Sequence, residues 1–252
     1  MNSRFVQIFF SEYMIFIDVL TLLGVYFFIR LSQDQRGQLY FWLPFLILIF
    51  TFLYENASAY TLYDFEFNKA VNAYFGNTEF PMFNLWLNNV AHLQIITILY
   101  FFLIKSWLAP SKKKYMNWML IGFVVSSQFI QFSGIEPIQW FQPIIFSIGA
   151  NMILVGSGLY FIGFMANDLY LNSNPLKLVS FWQMTFILFT YSLTYIHYVA
   201  MPFLVTYNYE LGRSISEINH VMNVLNLAIL VLTIAAPMLP RLFEREPAYG
   251  YC

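Results

Sequence analysis

The chain has 252 residues, of which 60% are hydrophobic, 21% are aromatic and only 10% are charged. A soluble domain typically carries about 25% charged residues, so the composition excludes an ordinary water-soluble protein. The formal net charge of −1 identifies no class of partner by itself, and we expect no nucleic acid among the partners. The composition predicts an all-α, polytopic membrane protein.

Long apolar segments follow one another along almost the whole chain. A membrane-spanning helix needs about 20 mainly apolar residues, and such runs are unbroken here, unlike the short alternating segments of a β-barrel. We therefore predict one domain over 1–252 with seven transmembrane helices, at about 11–30, 39–61, 84–108, 115–134, 140–166, 177–205 and 216–239. The first run lacks a small-residue cleavage site, so we expect it to be a retained helix and not a signal peptide.

The basic residues alternate between the two sides of this arrangement. Nine of the 12 Lys and Arg residues fall on one side, at positions 30, 36, 105, 112, 113, 114, 177, 241 and 245. Positive residues concentrate on the cytoplasmic side of a membrane. The bias predicts that the N-terminus lies outside and that the C-terminus lies inside, in the cytoplasm. The run Lys112, Lys113 and Lys114 is a topology anchor or a docking site for a cytoplasmic partner.

Three further features concern single segments. The connector 62–83 mixes polar and aromatic residues, which predicts an outer loop, an interfacial segment or a cap over the bundle. Gly149, Gly156 and Gly163 recur every seven residues in the fifth segment, which predicts a stripe for close helix packing and a central position for this helix. The single cysteine, Cys252, excludes an intrachain disulfide.

Polar side chains inside the apolar segments are the main functional clue. Such groups are costly in lipid and generally face a bundle interior or a cavity. They concentrate in the predicted outer half of the bundle, which suggests an outward-facing pocket, although interhelical hydrogen bonding also explains the amides. Our candidate pocket residues are Asp18, Glu55, Ser58, His92, Gln131, Asn151, Tyr195, His197, His220 and Asn223.

The type of cofactor or metal is left open by the sequence. The three histidines are spread over three segments without an HxxxH or HExxH pattern, so their spacing favours no zinc site. Glu55-Asn56-Ala57-Ser58 resembles the ExxS-like element of intramembrane hydrolases of the ceramidase and adiponectin-receptor type, which also have seven helices. That resemblance implies a metal-dependent hydrolase, whose HxxxH on the last helix is replaced here by His220 and Asn223.

A second resemblance involves the sixth and seventh segments. Asn174-Pro175-Leu176-Lys177, the following Ser180-Phe181-Trp182, the tyrosine-rich run to Tyr198 and the asparagine-rich start of the seventh segment resemble seven-helix membrane modules of Bacteroidota-type bacteria, which stand alone or precede a histidine kinase. The resemblance implies a non-enzymatic module that senses or relays a signal through a separate partner. The alternatives are an accessory or scaffold subunit of a membrane complex and the metal-dependent hydrolase.

Overall fold

The computed structural model describes residues 3–170 and 173–247, which contain helices and no strand. The all-α expectation is therefore confirmed over this part of the chain. The third long helix contains a π-helical segment, Asn89–Ile96, between two α-helical parts. The α-helices are α1 Ser3–Phe9, α2 Glu12–Arg30, α3 Gln33–Arg36, α4 Leu39–Tyr63, α5 Phe65–Tyr74, α6 Leu85–Asn88, α7 Thr97–Trp107, α8 Pro110–Phe132, α9 Pro143–Ala166, α10 Val179–Tyr207 and α11 Tyr209–Ala235.

Five helical stretches of the described residues are long and apolar enough to cross a membrane. They are Glu12–Arg30, Leu39–Tyr63, Leu85–Trp107, Pro143–Ala166 and Tyr209–Met238. The helices α8 and α10 are also long, with 23 and 29 residues. However, α8 begins with Pro-Ser-Lys-Lys-Lys and α10 contains many Tyr, Thr and Ser residues, which lower their hydropathy. Seven spans and their orientation therefore remain predictions.

The outer surface of the bundle is apolar on every long helix. Large hydrophobic side chains are exposed on α2, α8 and α9, as shown by Leu22 at 70%, Phe129 at 68% and Met165 at 72%. A soluble monomer rarely exposes apolar surface so widely. The burial pattern therefore agrees with a bundle whose outer faces contact lipid.

Helix ends differ from the expected limits where capping groups extend a helix. The helix α8 begins at Pro110 and not at 115, because proline is well tolerated in the first helical turn. The helix α11 begins at Tyr209 and not at 216, because the Asn208 side chain accepts a hydrogen bond from the backbone N–H of Leu211. The connector 62–83 contains the helix α5, which the Asp64 side chain caps in the same way.

The long helices form a closed ring. In order around the ring, the helices are α2, α11, α10, α9, α7 and α4, and the contact of α4 with α2 closes it. The helix α4 also packs on α11. The helix α8 lies outside the ring, against α7 and α9. Of the five candidate spans, Leu85–Trp107 has the largest share of buried residues in its apolar 18-residue stretch, 50% compared with 44% for α9. The third helix is therefore more enclosed than the fifth, for which the glycine stripe predicts a central position.

The glycine stripe of α9 faces neighbouring helices. A Cβ atom at Gly149 would lie 2.9 Å from the Phe123 ring, and one at Gly156 would lie 2.9 Å from the Met116 sulfur. Both distances are shorter than van der Waals contact, so these glycines allow α8 to approach α9. Gly158 has no atom within 4 Å of such a Cβ.

The glycine contacts predict a difference between three alanine variants. Gly149→Ala and Gly156→Ala should lower the free energy of unfolding by about 1–3 kcal/mol through overpacking. Gly158→Ala is the matched control, because it has the same gain in helix propensity without a clash. Thermal unfolding in detergent measures all three, and equal midpoints for the three variants would contradict the close approach.

Buried asparagines hold one end of the bundle together. Asn68, Asn72 and Asn77 are at most 2% exposed, and we call the surface that they organise, residues 64–84, the asparagine cap. The Asn72 amide donates to the carbonyls of Pro81 and Phe83 at 3.2 and 2.8 Å. The connector is thus folded back on itself by hydrogen bonds, and it does not form a plain extended loop.

A second connector is fixed to the start of α9. The Glu136 carboxylate, 5% exposed, accepts hydrogen bonds from the backbone N–H groups of Ile144 and Ile145 at 2.7 and 2.9 Å. These donors belong to the first turn of α9, where the helix dipole favours a negative charge. Glu136 therefore caps α9, and the Asn77 amide contacts the same connector through the Gln139 carbonyl at 3.4 Å.

The opposite end carries the basic residues and the C-terminal tail. Lys177 forms an ion pair with Glu244 at 3.0 Å. The Glu246 carboxylate accepts hydrogen bonds from the N–H and the hydroxyl of Ser180 at 2.8 and 2.7 Å. We call this surface, with the basic residues at positions 30, 36, 105, 112, 113, 114, 177, 241 and 245, the basic end. The tail is therefore attached to the start of α10, whereas Cys252 lies outside the described residues.

The tail contact predicts a pH dependence. Burial raises the pKa of Glu246 above its ordinary value, although hydrogen bonds from Ser180 act in the opposite direction. Because the pKa of Glu246 is raised when the tail is docked, its stabilising contribution is fully present at pH values below the ordinary pKa of a glutamate. This contribution is lost as the pH rises through the raised pKa. A spin label on Cys252 should therefore become more mobile as the pH rises through that interval.

The control for this pH series is Glu246→Gln, which keeps the shape of the side chain and cannot ionise. Its label mobility should not change over the same interval. An identical pH profile for the original protein and this variant would show that another group controls the tail.

Candidate functional site

The site begins with Glu55, a carboxylate in the candidate span α4. The Tyr13 hydroxyl on α2 donates a hydrogen bond to Glu55 Oε1 at 2.9 Å, and Tyr54 is a second hydrogen-bonding side chain. Ion pairs in the described residues join Lys177 to Glu244 and Arg213 to Glu217, and neither involves Glu55. The carboxylate is thus held by phenol groups, and it has no ion-pair partner among the residues that the structure describes.

Glu55 lines a small cavity between the helices of the bundle. The cavity has a volume of about 40 Å³. A small-molecule cleft has roughly 300–1,000 Å³, whereas a water needs about 10–15 Å³ of such a volume, so this cavity has room for a few waters or one small ion. Its lining residues are Tyr13, Thr51, Glu55, His92, Ile96, Tyr100, Thr190, Tyr191, Thr194, Asn223, Asn226 and Leu227.

The π-helical segment Asn89–Ile96 brings His92 to this cavity. A π-helical turn is rare and often occurs at functional sites. Asn89, fully buried, fixes the start of the segment by donating to the carbonyls of Ile138 and Trp140 at 2.8 and 2.6 Å. His92 also contacts the Tyr54 ring, with centroids 6.0 Å apart. The irregular backbone therefore positions the histidine beside the carboxylate.

The wall formed by α10 and α11 is a seam of hydrogen-bonded polar side chains. The Thr194 hydroxyl lies 2.6 Å from Asn219 Oδ1, and the Asn226 amide donates to the Tyr100 hydroxyl at 2.7 Å. Asn226 is 3% exposed, yet its Oδ1 has no hydrogen-bond partner. This buried amide thus joins α11 to α7 and leaves one acceptor oxygen unsatisfied in the wall of the cavity.

The structure brings several of the predicted pocket residues together. Glu55, His92 and Asn223 line the same cavity. His220 lies against the Tyr13 ring with centroids 5.3 Å apart, and His197 lies within electrostatic range of His220. His197 Nδ1 is buried without a hydrogen-bond partner. His220 therefore contacts α2 through Tyr13, with His197 near it, and His92 lines the cavity itself.

The other predicted residues lie elsewhere. Asp18 on α2 has a buried Oδ1 without a partner, and Ser58 Oγ accepts from the Asn84 amide at 2.7 Å. Gln131 accepts from Gln94 at 2.6 Å and so joins α8 to the π-helical segment. None of the three lines the cavity.

Two further candidates, Asn151 and Tyr195, are also absent from the cavity. Asn151 is exposed and lines an outer groove with Val199, whereas Tyr195 packs on the hydrophobic core. Of the basic run, Lys112 donates to the Leu159 carbonyl at 3.3 Å, Lys113 is partly buried and Lys114 is exposed. At least one of these lysines is therefore available to a partner.

Some site residues were not selected from the sequence. Tyr13 and Tyr100 resemble the aromatic residues that are common in membrane helices, and no local pattern distinguishes them. Thr190 and Thr194 lie on one face of α10, and Asn226 lies on one face of α11 with other asparagines. Polar residues that recur at this helical spacing are the signal that could identify them. The π-helical segment has no signal in the sequence, because polar Asn89, His92 and Gln94 among apolar residues are equally compatible with an α-helix.

Within the described ranges, no group of three His, Cys, Asp or Glu side chains is arranged to hold a metal ion. Comparisons of the chain with protein-family models, with curated proteins and with solved structures find no match. The interpretation of the cavity therefore depends on its own geometry.

The position of the π-helical segment predicts the effect of removing its anchor. Asn89→Ala should lower the free energy of unfolding by about 2–4 kcal/mol, because the two backbone carbonyls of Ile138 and Trp140 lose their donor. Asn151→Ala is the matched control, since the exposed Asn151 donates only within its own helix, to Ser147 at 2.8 Å. Denaturation in mixed micelles measures both, and equal stabilities would contradict the anchoring role of Asn89.

Proposed function

We propose that the chain is a non-enzymatic, multi-pass membrane module that senses or relays a signal through a separate partner protein. The central cavity is its sensing site, and the basic end is its output face. The observation that carries the proposal is Glu55, a carboxylate on a candidate span that lines a cavity and has no ion-pair partner among the described residues. An ionisable residue inside a membrane marks a functional site by default.

The position of the cavity supports a relay. Its walls come from α2, α4, the π-helical segment, α7, α10 and α11, so a change at Glu55 acts on the packing of six elements at once. Two of these helices continue to the basic end, where Lys177 precedes α10 and the tail follows α11. A stimulus shifts a conformational equilibrium when it binds one arrangement of helices better than another.

The topology belongs to the same proposal. We infer that α8 and α10 cross the membrane with the five candidate spans, because their exposed side chains include Val125, Phe129, Phe189 and Ile196. The distribution of Lys and Arg then places the basic end in the cytoplasm and the asparagine cap outside. The membrane in this proposal is the inner membrane of a bacterium, and the partner contacts the exposed part of the lysine run.

A second candidate function is an accessory subunit of a membrane complex. The observation that favours it is an outer groove of about 580 Å³ lined by polar Ser147 and Asn151 beside Ile144 and Val199. Gly158 lies further along α9 and leaves open space at its Cβ position. Small and polar residues on the outer face of a membrane helix suit the close approach of another helix.

Photocrosslinking from the lysine run tests the signalling proposal. A photocrosslinking amino acid at the exposed Lys114 should capture a specific partner in the native membrane, and Glu55→Gln should change the yield of that product at least twofold. Glu66→Gln, an exposed carboxylate on the asparagine cap, is the control and should leave the yield unchanged. A partner captured equally by the original protein and Glu55→Gln would favour the accessory subunit, and the absence of a specific product would overturn the relay.

A further inference from the structure

The cavity is lined mainly by oxygen-bearing side chains. Thr51, Thr190, Thr194, Asn223 and Asn226 share the lining with Glu55 and three tyrosines. Hydroxyl, amide and carboxylate oxygens are the ligands that hard cations prefer. The single imidazole, from His92, does not alter this preference for oxygen. The chemistry of the lining thus favours a hard cation over a soft transition metal.

The hydrogen bonds leave acceptor oxygens free in this wall. The Thr190 hydroxyl donates its proton to the carbonyl of Met222 at 3.4 Å, so its oxygen lone pairs remain available. The Thr194 hydroxyl is engaged with both the Thr190 carbonyl at 2.7 Å and the Asn219 side chain at 2.6 Å. Asn226 Oδ1 is buried without a partner, and a buried polar atom of this kind is expected to have a ligand or water as its partner.

The charge in the cavity selects the valence of the ion. Glu55 is the one carboxylate in the lining, and its hydroxyl donors are neutral. An uncompensated charge inside a membrane is costly. A monovalent cation would neutralise the Glu55 carboxylate, whereas a divalent cation would leave a net positive charge in the cavity.

From these observations we infer that the cavity binds a monovalent alkali cation of the size of sodium. Glu55 supplies the negative charge, and Thr51, Asn223 and Asn226 supply neutral oxygen ligands. The volume of about 40 Å³ holds such an ion with one or two waters, at about 10–15 Å³ for each water. The inference rests on the proposed function only in taking this cavity as the sensing site, and it names the ligand of that site.

Cation binding connects helices that are separate in the chain. Glu55 and Thr51 lie on α4, whereas Asn223 and Asn226 lie on α11, which also packs on α10. An ion bound to both groups draws α4 towards α11. Removal of the ion leaves a carboxylate facing amides and hydroxyls across the cavity, so the arrangement of these helices depends on occupancy.

The direct test is sodium binding by the purified protein in detergent. Radioactive sodium should bind with a stoichiometry of one per chain, and sodium chloride should raise the thermal unfolding midpoint saturably in comparison with choline chloride at the same ionic strength. Potassium chloride in the same series measures selectivity. The inference would be overturned if the original protein showed neither sodium binding nor stabilisation by sodium chloride. A stability that responds to pH but not to sodium would indicate that the occupant is a proton, and it would overturn the inference too.

Variants locate the ion. Glu55→Gln should abolish binding, and Thr51→Val and Asn226→Leu should each weaken the apparent affinity about tenfold, which corresponds to about 1.4 kcal/mol. Glu66→Gln should bind as the original protein does. If Glu55→Gln does not fold, the two neutral-ligand variants still decide the assignment. Sodium binding that all three cavity variants retain would place the ion elsewhere.

The two proposals fail separately. Sodium binding that depends on Glu55, combined with a crosslinked partner that does not respond to Glu55→Gln, supports the cation site and overturns the relay. A partner that responds to Glu55→Gln in a protein that binds no sodium supports the relay and overturns the cation site.

Discussion

The hydrogen bond from the Tyr13 hydroxyl to the Glu55 carboxylate, at 2.9 Å, is the interaction on which the centre of the bundle depends. A carboxylate within a membrane helix is costly and needs a partner, water or a bound ion. In the described residues Glu55 has no basic partner, and a neutral phenol compensates only part of the cost. The remaining groups of the cavity are arranged around that unbalanced charge.

The two ends of the bundle hold this centre in different ways. The asparagine cap and Glu136 saturate backbone groups of the connectors and of the first turn of α9, so this end is fixed by many short hydrogen bonds. At the basic end, the tail is attached by the Lys177–Glu244 ion pair and by Glu246 on Ser180, and the side chains of Arg36 and Lys112 donate to backbone carbonyls. Both ends are thus fixed by hydrogen bonds, and the tail contacts connect the start of α10 with the chain that follows α11.

The helical segments were predictable because hydrophobic periodicity and length determine them locally. Glu55, His92 and Asn223 line the same cavity, and each can be singled out beforehand because a polar side chain in an apolar run is visible in the sequence. Their surroundings are not visible. Tyr13 and Tyr100 act through contacts between distant segments, and the π-helical turn at Asn89 depends on carbonyls some 50 residues away in the chain. Seven spans and the outside position of the N-terminus still await a test.

The central claim is that Tyr13 and Glu55 interact directly inside the bundle. A double-mutant cycle with Tyr13→Phe, Glu55→Gln and the double variant, measured by denaturation in mixed micelles, isolates this interaction. We predict a coupling free energy of about 1.5–3 kcal/mol, as for a hydrogen bond to a charged group. Additive effects within about 0.5 kcal/mol would contradict the account, because they would mean that the tyrosine does not hold the carboxylate.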